Sequence, residues 1–234
     1  MDKIAPIIGR EYYDERYFNQ YSEYFDISKS KFQQYRVKNV MKIYTPFPSE
    51  TVLDMGMGWG TFTFHTAQVC KAVVGIDYSF TSLLLCNQRL REWPQKNIHL
   101  ACADVQAVPL QSGSFDAIIS ADLIEHLYPA QFEGFLNECA RLLRKQGKLV
   151  LWTPHDGHWA EWMKKNRLFL GPHESHVDYK SMSKIQDALL NHGFNVLKAY
   201  YVESHLPVIR VIEKAWLKYC SWFRRRIAVL GEKV

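Results

Sequence analysis

Residues 51–60 read Thr-Val-Leu-Asp-Met-Gly-Met-Gly-Trp-Gly: a short apolar run, an acidic residue, and glycines at three alternate positions. The apolar run has the length of a buried parallel strand. Glycine carries no Cβ, so the chain can turn sharply after the strand and its backbone can pass close to a ligand. Such a turn at the carboxyl end of a first strand is typical of an open α/β sheet that binds a nucleotide-type ligand.

The spacing of the glycines indicates which ligand fits. Gly56, Gly58 and Gly60 follow the pattern G-x-G-x-G, whereas dinucleotide-binding turns read G-x-G-x-x-G. A carboxylate at Asp54 would repel a pyrophosphate and attract an ammonium group. The loop therefore disfavours a dehydrogenase and favours S-adenosylmethionine, which carries a sulfonium and an α-amino group. The alternative is a glycine turn with no ligand, which can follow any buried strand.

Two further apolar runs end in an acidic residue. The first ends at Asp77, 23 residues after Asp54, and the second ends at Asp104. An acid about 20 residues beyond a glycine loop is where an adenosine ribose is held through its hydroxyls. A charged acceptor makes strong hydrogen bonds to such donors. Asp104 can accept from the adenine amine, while the backbone N–H of Val105 binds a ring nitrogen.

With these motifs the chain resembles the class I S-adenosylmethionine-dependent methyltransferases, and within them the small-molecule branch that contains the ubiquinone-pathway O-methyltransferases. The motifs that match are Asp54-Met-Gly-Met-Gly-Trp-Gly60, Gly75-Ile-Asp-Tyr-Ser79, Asp104-Val-Gln-Ala-Val-Pro-Leu110, Ser114-Phe-Asp-Ala-Ile-Ile-Ser120 and Leu142-Leu-Arg-Lys-Gln-Gly-Lys-Leu-Val150. The resemblance implies S-adenosylmethionine as the cofactor. It places Asp54, Gly56, Gly58, Gly60 and Ala121 near the methionine part, Asp77 with its neighbour Tyr78 at the ribose, and Asp104 with Val105 at the adenine.

Apolar periodicity predicts alternating strands and helices, and therefore a Rossmann-like, open, mostly parallel sheet of about seven strands with helices on both faces. Strands are predicted near 51–55 and at 72–77, 97–102, 116–120, 148–153 and 194–201, with an antiparallel edge strand at 226–233. Helices are predicted at 30–45, 60–69, 81–91, 131–144 and 181–192. The chain is interpreted as one methyltransferase domain over 1–234, with an N-terminal lid at 1–30, a cofactor-binding core at 46–153, and acceptor-side segments at 154–180 and 202–223.

Composition agrees with one globular domain, because 234 residues with 47% hydrophobic content can bury a sizeable core. The five cysteines are scattered and form no C-x-x-C pair, which indicates reduced thiols in the cytoplasm. The first 30 residues lack the pattern of a secretion signal, and no apolar run has the length of a membrane span. We therefore expect a cytoplasmic protein.

Residues 120–127, Ser-Ala-Asp-Leu-Ile-Glu-His-Leu, follow the fourth strand and carry the question of chemistry. They lack the Asn/Asp-Pro-Pro-Tyr/Phe loop of resembling amino methyltransferases, which disfavours nucleobase methylation. Asp122, Glu125 and His126 would share one face of a helix, and His126 is a candidate base that deprotonates an acceptor oxygen.

Related families with Glu-x-x-Glu-His here hold a divalent metal. That alternative would use Asp122, Glu125, His126 and His176, although Asp in place of the first Glu argues against it, and no metal is assigned.

A second group of histidines follows strand five. His155 and His176 are further candidate bases, and the group also contains His158 and His173. Exposed loop histidines without a function are the alternative.

Two sets of aromatic and apolar residues are interpreted as a lid that excludes water, with plain core packing as the alternative. They are Trp152, Trp159, Trp162, Leu168 and Phe169 around the histidines, and Tyr12, Tyr13, Tyr17, Phe18, Tyr21, Tyr24 and Phe25 near the N-terminus.

The net charge of +5 resides entirely in residues 205–234, which contain seven basic and two acidic residues. Tryptophans and aliphatic residues recur there at helical spacing, so residues 208–226 are predicted to contact an anionic membrane surface peripherally. Contact with nucleic-acid phosphates is a less favoured alternative. An ordinary core helix with a solvated basic face is another.

Together these observations predict methyl transfer from S-adenosylmethionine to a small-molecule acceptor, at oxygen, on an apolar or lipid-like compound. Holding the two reactants in line would supply much of the rate. The alternatives are an RNA or protein methyltransferase and a partner subunit that binds the cofactor without catalysis. The oligomeric state is left open.

Overall fold

A computed structural model describes residues 8–20, 30–168 and 174–234 of the chain. The described residues contain seven strands: β1 Thr51–Met55, β2 Ala72–Asp77, β3 Ile98–Cys102, β4 Phe115–Ala121, β5 Leu143–Pro154, β6 Phe194–Val202 and β7 Arg226–Lys233. They also contain eight α-helices: α1 Glu15–Gln20, α2 Lys31–Ile43, α3 Thr61–Thr66, α4 Phe80–Glu92, α5 Pro129–Leu142, α6 Trp159–Lys165, α7 Met182–Asn191 and α8 Pro207–Trp216. The predicted alternation of strands and helices is confirmed.

Local capping signals explain where several helices begin and end. Ser79 and Ser181 precede α4 and α7, and each hydroxyl accepts a hydrogen bond from the backbone N–H three residues later. Such a cap satisfies one of the donors that a helix N-terminus leaves unpaired. After α7 the chain passes through Gly193 at φ +78°, a left-handed conformation that glycine adopts without steric cost.

The seven strands form one sheet in the order β3-β2-β1-β4-β5-β7-β6. Pairing is parallel from β3 through β5, and β7 runs antiparallel to both β5 and β6. The strand order reverses between β1 and β4, so their carboxyl ends open into the crevice where ligands bind in such sheets. The predicted Rossmann-like sheet of seven mostly parallel strands is confirmed.

The predicted position of the last strand is wrong. Strand β7 is antiparallel, as expected, but it lies between β5 and β6 and not at the edge. Its central residues Ile227, Ala228 and Val229 are fully buried, and a strand covered on both faces belongs inside a sheet. Because β7 is antiparallel, its first residue, Arg226, lies at the same edge of the sheet as the carboxyl ends of the parallel strands.

Helices cover both faces of the sheet and bury one apolar cluster on each. One cluster contains Phe135 and Leu136 of α5 with Ile185 of α7. The other contains Val40 of α2 and Phe62 of α3. The polar groups of the strand ends are therefore left at the open edge of the sheet, where a site can form.

Two predicted boundaries are wrong. Helix α5 ends at Leu142, and Leu143 already pairs with Phe115 as the first residue of β5, so Gly147 lies within a strand and does not end a helix. The predicted helix over 208–226 ends at Trp216. A 3-10 turn at Ser221–Phe223 follows, and Arg226 already belongs to the sheet. The apolar residues keep helical spacing beyond Trp216. The helix nevertheless ends there, because β7 pairs with both β5 and β6 and draws the following residues into the sheet.

Candidate cofactor and acceptor site

A cavity of about 820 Å³ opens at the carboxyl edge of the sheet. Its wall includes the turn after β1, the end of β2, the turn after β3 and the end of β4. The sequence-predicted residues in this wall are Gly56, Gly58, Asp77, Tyr78, Asp104, Val105, Ala121, His126 and His176. Sheet topology thus brings together residues that are as much as 120 positions apart in the chain.

Asp77 ties the glycine loop to the end of β2. Its Oδ2 accepts a hydrogen bond from the backbone N–H of Gly58 at 2.9 Å, and its Oδ1 accepts one from the N–H of Ser79 at 2.9 Å. Burial raises the pKa of Asp77, while these backbone donors act in the opposite direction. The carboxylate therefore faces the cavity and also fixes the loop that closes one side of it.

Asp54 lies beneath the glycine loop, outside the residues that line the cavity. Its Oδ2 accepts from the hydroxyl of Thr63 at 2.6 Å, and burial raises its pKa to about 6. Its buried Oδ1 has no hydrogen-bond partner among the described residues. Gly60 also lies outside the lining and precedes α3 at φ +73°. Asp54 and Gly60 therefore adjoin the glycine loop without lining the cavity.

The turn after β3 forms the far end of the same wall. The Asp104 side chain accepts from the backbone N–H of Gln106 at 2.9 Å, which fixes its orientation. Val105 is buried beside it, and both residues line the cavity. Glycine loop, Asp77 and Asp104 thus follow one another along the wall in the order that methionine, ribose and adenine follow one another in S-adenosylmethionine. The residues fit this cofactor.

Residues 53–151, which contain these elements, match the family described as a methyltransferase domain. These residues form a class I S-adenosylmethionine-dependent methyltransferase domain. The family and the cofactor expected from the sequence motifs are confirmed at this level.

Individual relatives are similar to part of this chain. The chain is 25% identical over 195 residues to a sphingolipid C9-methyltransferase of Candida albicans, and the alignment covers 77% of this chain and 36% of that protein. It is 33% identical over 102 residues to a demethylmenaquinone methyltransferase of Tropheryma whipplei, which covers 44% of this chain and 41% of that protein. The chain thus spans less than half the length of these curated relatives.

Solved structures share the fold. Magnesium protoporphyrin IX methyltransferase of Synechocystis, solved with bound SAH, superposes with a TM-score of 0.71 over 96% of this chain and 98% of that chain. The sequence identity is 16%. At that level the similarity establishes the fold and leaves the substrate open.

The half of the cavity away from the glycine loop and Asp104, which we call the acceptor end, contains most of the remaining charged residues of the cavity wall. Asp122 lies here, in the left-handed region at φ +56°. Its carboxylate contacts the guanidinium of Arg36 at 2.7 Å and that of Arg226. The predicted helical face shared by Asp122, Glu125 and His126 is wrong, because Asp122 precedes the 3-10 turn, which covers only Ile124–His126. The acceptor end is lined by Arg36, Asp122, Glu125, His126, Glu161, Lys164, His176, Arg225 and Arg226.

Hydrogen bonds fix the tautomers of His126 and His176. Nδ1 of His126 lies 2.8 Å from the carbonyl of Ser175, and a carbonyl can only accept, so Nδ1 carries the hydrogen. Nδ1 of His176 lies 2.7 Å from the Tyr179 hydroxyl, which itself donates to Glu161 at 2.8 Å. That hydroxyl therefore accepts from His176. In both neutral rings Nε2 is the basic nitrogen.

The other two described members of the predicted histidine group lie elsewhere. His155 is buried against Tyr201, outside the cavity lining, and burial together with Arg224 lowers its pKa. His158 is fully buried, with Nε2 2.8 Å from a carboxylate oxygen of Glu213. Neither is an exposed loop residue, and both stabilise the packing around α6. His173 and Phe169 lie outside the described residues.

Glu125, His126 and His176 have ligand atoms within 4.8 Å of one another. A carboxylate with two imidazoles suits a divalent transition metal by donor type. The four-residue set considered as an alternative does not form, because Asp122 is engaged by its two arginines. The three-residue set stays the alternative to a metal-free base.

The N-terminal segment contributes to the cavity wall. Tyr13, Tyr17 and Phe18 line the cavity, and the hydroxyl of Tyr13 lies 3.1 Å from Nδ1 of His126. The Ser79 hydroxyl donates to the backbone carbonyl of Tyr13 at 2.7 Å and fixes the segment over β2. Whether residues 1–30 act as a lid stays a prediction, and Tyr21, Tyr24 and Phe25 lie outside the described residues.

Sequence reasoning missed the basic side chains of the acceptor end. Arg225 and Arg226 were interpreted as part of a basic surface, yet Arg226 is buried and both line the cavity. Arg36 and Lys164 received no role. The available signal was weak: Arg36 follows a Phe-x-x-Tyr stretch and lies on the buried face of α2, together with Val37 and Val40.

Proposed function

We propose that this methyltransferase transfers a methyl group from S-adenosylmethionine to an oxygen of a small-molecule acceptor. The observation that carries the proposal is the continuity of the cavity, which leads from the glycine loop and Asp77 to His126 and His176. The two curated relatives named above, which act on a sphingolipid and on demethylmenaquinone by their names, support a small molecule with an apolar part.

Asp77, Asp104 and Val105 would hold the adenosine, and Gly56 and Gly58 allow the methionine part to approach the backbone. The bound cofactor supplies an electrophilic methyl group. Asp54, buried below the loop with an unpaired Oδ1, favours positive charge above it, because an ionised buried carboxylate is stabilised by a nearby cation. These residues would therefore bind the cofactor and orient its methyl group.

His126 and His176 would accept the acceptor proton at Nε2. Each ring is held at Nδ1, His126 by the Ser175 carbonyl and His176 by the relay of Tyr179 and Glu161. Held rings keep the basic nitrogen directed and in the right tautomer, which is how general bases gain efficiency. The two rings pack edge to face with centroids 4.9 Å apart, so they lie side by side in the cavity wall.

The test follows label from methyl-¹³C S-adenosylmethionine incubated with the protein and a small-metabolite extract. We expect label in a low-molecular-weight product whose methyl chemical shift is that of an O-methyl group. His126→Gln is expected to lower the rate by about 100-fold or more, as for loss of a general base, with unchanged affinity for S-adenosylhomocysteine. His155→Gln should leave both unchanged.

Several outcomes would contradict this proposal. Label in RNA or protein would favour the macromolecular alternative. Cofactor binding without any labelled product would favour a non-catalytic partner subunit. Equal loss of rate in His126→Gln and His155→Gln would remove the base assignment.

We also propose that α8 contacts a membrane surface, as a support for a lipid-like acceptor. Val208, Val211 and Trp216 are 76%, 68% and 54% exposed, although they are large and apolar. Arg210 and Lys214 lie on the same helix. Exposed apolar side chains next to basic ones suit the interface of an anionic bilayer. Within the described residues, none of the helices has the length and apolar character needed to cross a bilayer.

Flotation with lipid vesicles tests this contact. We expect the protein to float with vesicles that contain phosphatidylserine and much less with pure phosphatidylcholine. Val211→Glu should abolish flotation, while Trp93→Ala, which removes another exposed tryptophan far along the chain, should not change it. Equal flotation of wild type and Val211→Glu would contradict a role for α8.

A further inference from the structure

The acceptor end of the cavity is unusually basic for a site expected to hold an apolar compound. Its wall contains Arg36, Lys164, Arg225 and Arg226. The exposed fractions of these four side chains are between 9% and 18%. Charged groups this far removed from water require partners.

The partners are too few, because each carboxylate is shared by two cations. Asp122 contacts both Arg36 and Arg226. Glu161 contacts Lys164 at 3.0 Å and Arg225 at 3.2 Å. Although burial raises the pKa of Glu161, these two cations hold it down, to about 2. The pattern of two cations for one carboxylate thus occurs twice within one cavity.

No other described group that lines the acceptor end removes this excess. Glu213 also acts on Arg225, but it lies outside the lining and accepts from His158 and from the backbone of Ser204. Glu125 is the third carboxyl group in the wall, and counting it as ionised still leaves four cations against three carboxylates among the described residues. His126 and His176 can add only positive charge. The cofactor carries a sulfonium, an ammonium and one carboxylate, so its own net charge is also positive. The excess of cations in the lining therefore favours an anion from outside.

The two cation pairs differ in where they lie. Arg36 donates to the carbonyl of Ala121 at 3.4 Å, at the end of β4 where the methionine part of the cofactor is expected. Lys164 belongs to α6, and Arg225 is the residue before β7. Both lie on the far side of His176 and Tyr179. Burial lowers the pKa of both Lys164 and Arg225, a sign that their charged forms are only partly compensated. The second pair is thus the one available to an acceptor.

We propose that the acceptor carries an anionic group, a carboxylate or a phosphate, which binds against Lys164 and Arg225. This rests on the proposed function, since it assigns the class of the molecule that the same cavity methylates. The anion would complete the coordination of two buried cations, and charge-assisted hydrogen bonds of this kind are the strongest that proteins make. Lys164 and Arg225 would then determine which end of an amphipathic acceptor enters the site.

The experiment titrates three probes into the full chain saturated with S-adenosylhomocysteine: octanoate, octyl phosphate and the uncharged octanamide. We expect at least one anionic probe to bind about tenfold more tightly than octanamide. Lys164→Gln should remove this preference and leave octanamide binding unchanged. Lys165→Gln is the matched control, because Lys165 is the next residue of α6, is 49% exposed and lies outside the cavity lining.

The outcomes separate this proposal from the methyltransferase assignment. Equal binding of charged and uncharged probes, no saturable binding of either anion at millimolar concentration, or equal effects of Lys164→Gln and Lys165→Gln would each overturn the anionic acceptor. S-adenosylhomocysteine binding is measured on the same samples, and only its loss would contradict the proposed function. A preference for octanoate over octyl phosphate, or the reverse, identifies which anion the acceptor carries.

Discussion

Replacing Asp77 by alanine is expected to weaken S-adenosylhomocysteine binding by about 100-fold or more. The carboxylate is placed to accept from the ribose hydroxyls, and hydrogen bonds to a charged group contribute roughly 1.5–3 kcal/mol each. It also accepts from the backbone of Gly58 and Ser79. The substitution therefore removes ligand contacts and, at the same time, releases the glycine loop.

Calorimetric titration of wild type, Asp77→Ala and Asp116→Ala measures this effect. Asp116 is also an acidic strand residue, but it lies near the start of β4, where it accepts from the backbone of Thr51 and from Arg144. Asp116→Ala should leave the affinity unchanged although it removes hydrogen bonds. Similar affinities in wild type and a folded Asp77→Ala would contradict the ribose assignment.

Replacing Lys180 by methionine is expected to lower the free energy of unfolding by about 3 kcal/mol. Lys180 is fully buried, and its Nζ donates to the carbonyls of Ile124 and Leu127 at 2.6 Å and to that of Asp178 at 3.0 Å. Methionine has a similar length but no donor, so three carbonyls lose their partner. Two of them flank His126, so methyl transfer should also slow while S-adenosylhomocysteine affinity stays nearly the same.

Urea denaturation compares Lys180→Met with Lys184→Met. Lys184 contacts the same Asp178 at 3.3 Å but is 49% exposed, so its replacement should cost less than about 0.5 kcal/mol. If the two variants lose the same stability, the buried lysine does not hold the turn that carries His126.

Most of the cavity lining at the ends of β1, β2 and β3 could be predicted because each part is local in sequence, although Asp54 and Gly60 lie outside the lining. Asp54, Asp77 and Asp104 each follow a short apolar run, and a parallel sheet places the carboxyl ends of its strands at one edge. Periodicity also predicted α2, α4 and α7 nearly to their ends, since serine caps and glycine punctuate the sequence there.

The acceptor end could not be predicted in the same way, because distant segments form it. Arg36 and Arg226 share Asp122 only because β7 inserts between β5 and β6. The sequence gives no sign that a basic residue next to two other arginines turns into a buried cavity. Asp122 and His126 were expected on one helical face, yet Asp122 is in the left-handed region and His126 is the last residue of a short 3-10 turn.

The central claim, that this chain is an S-adenosylmethionine-dependent methyltransferase, is tested most directly by calorimetric titration of the purified chain with S-adenosylhomocysteine. We expect saturable binding of one ligand per chain with a dissociation constant on the order of micromolar. Absence of binding by a protein that circular dichroism shows to be folded would contradict it.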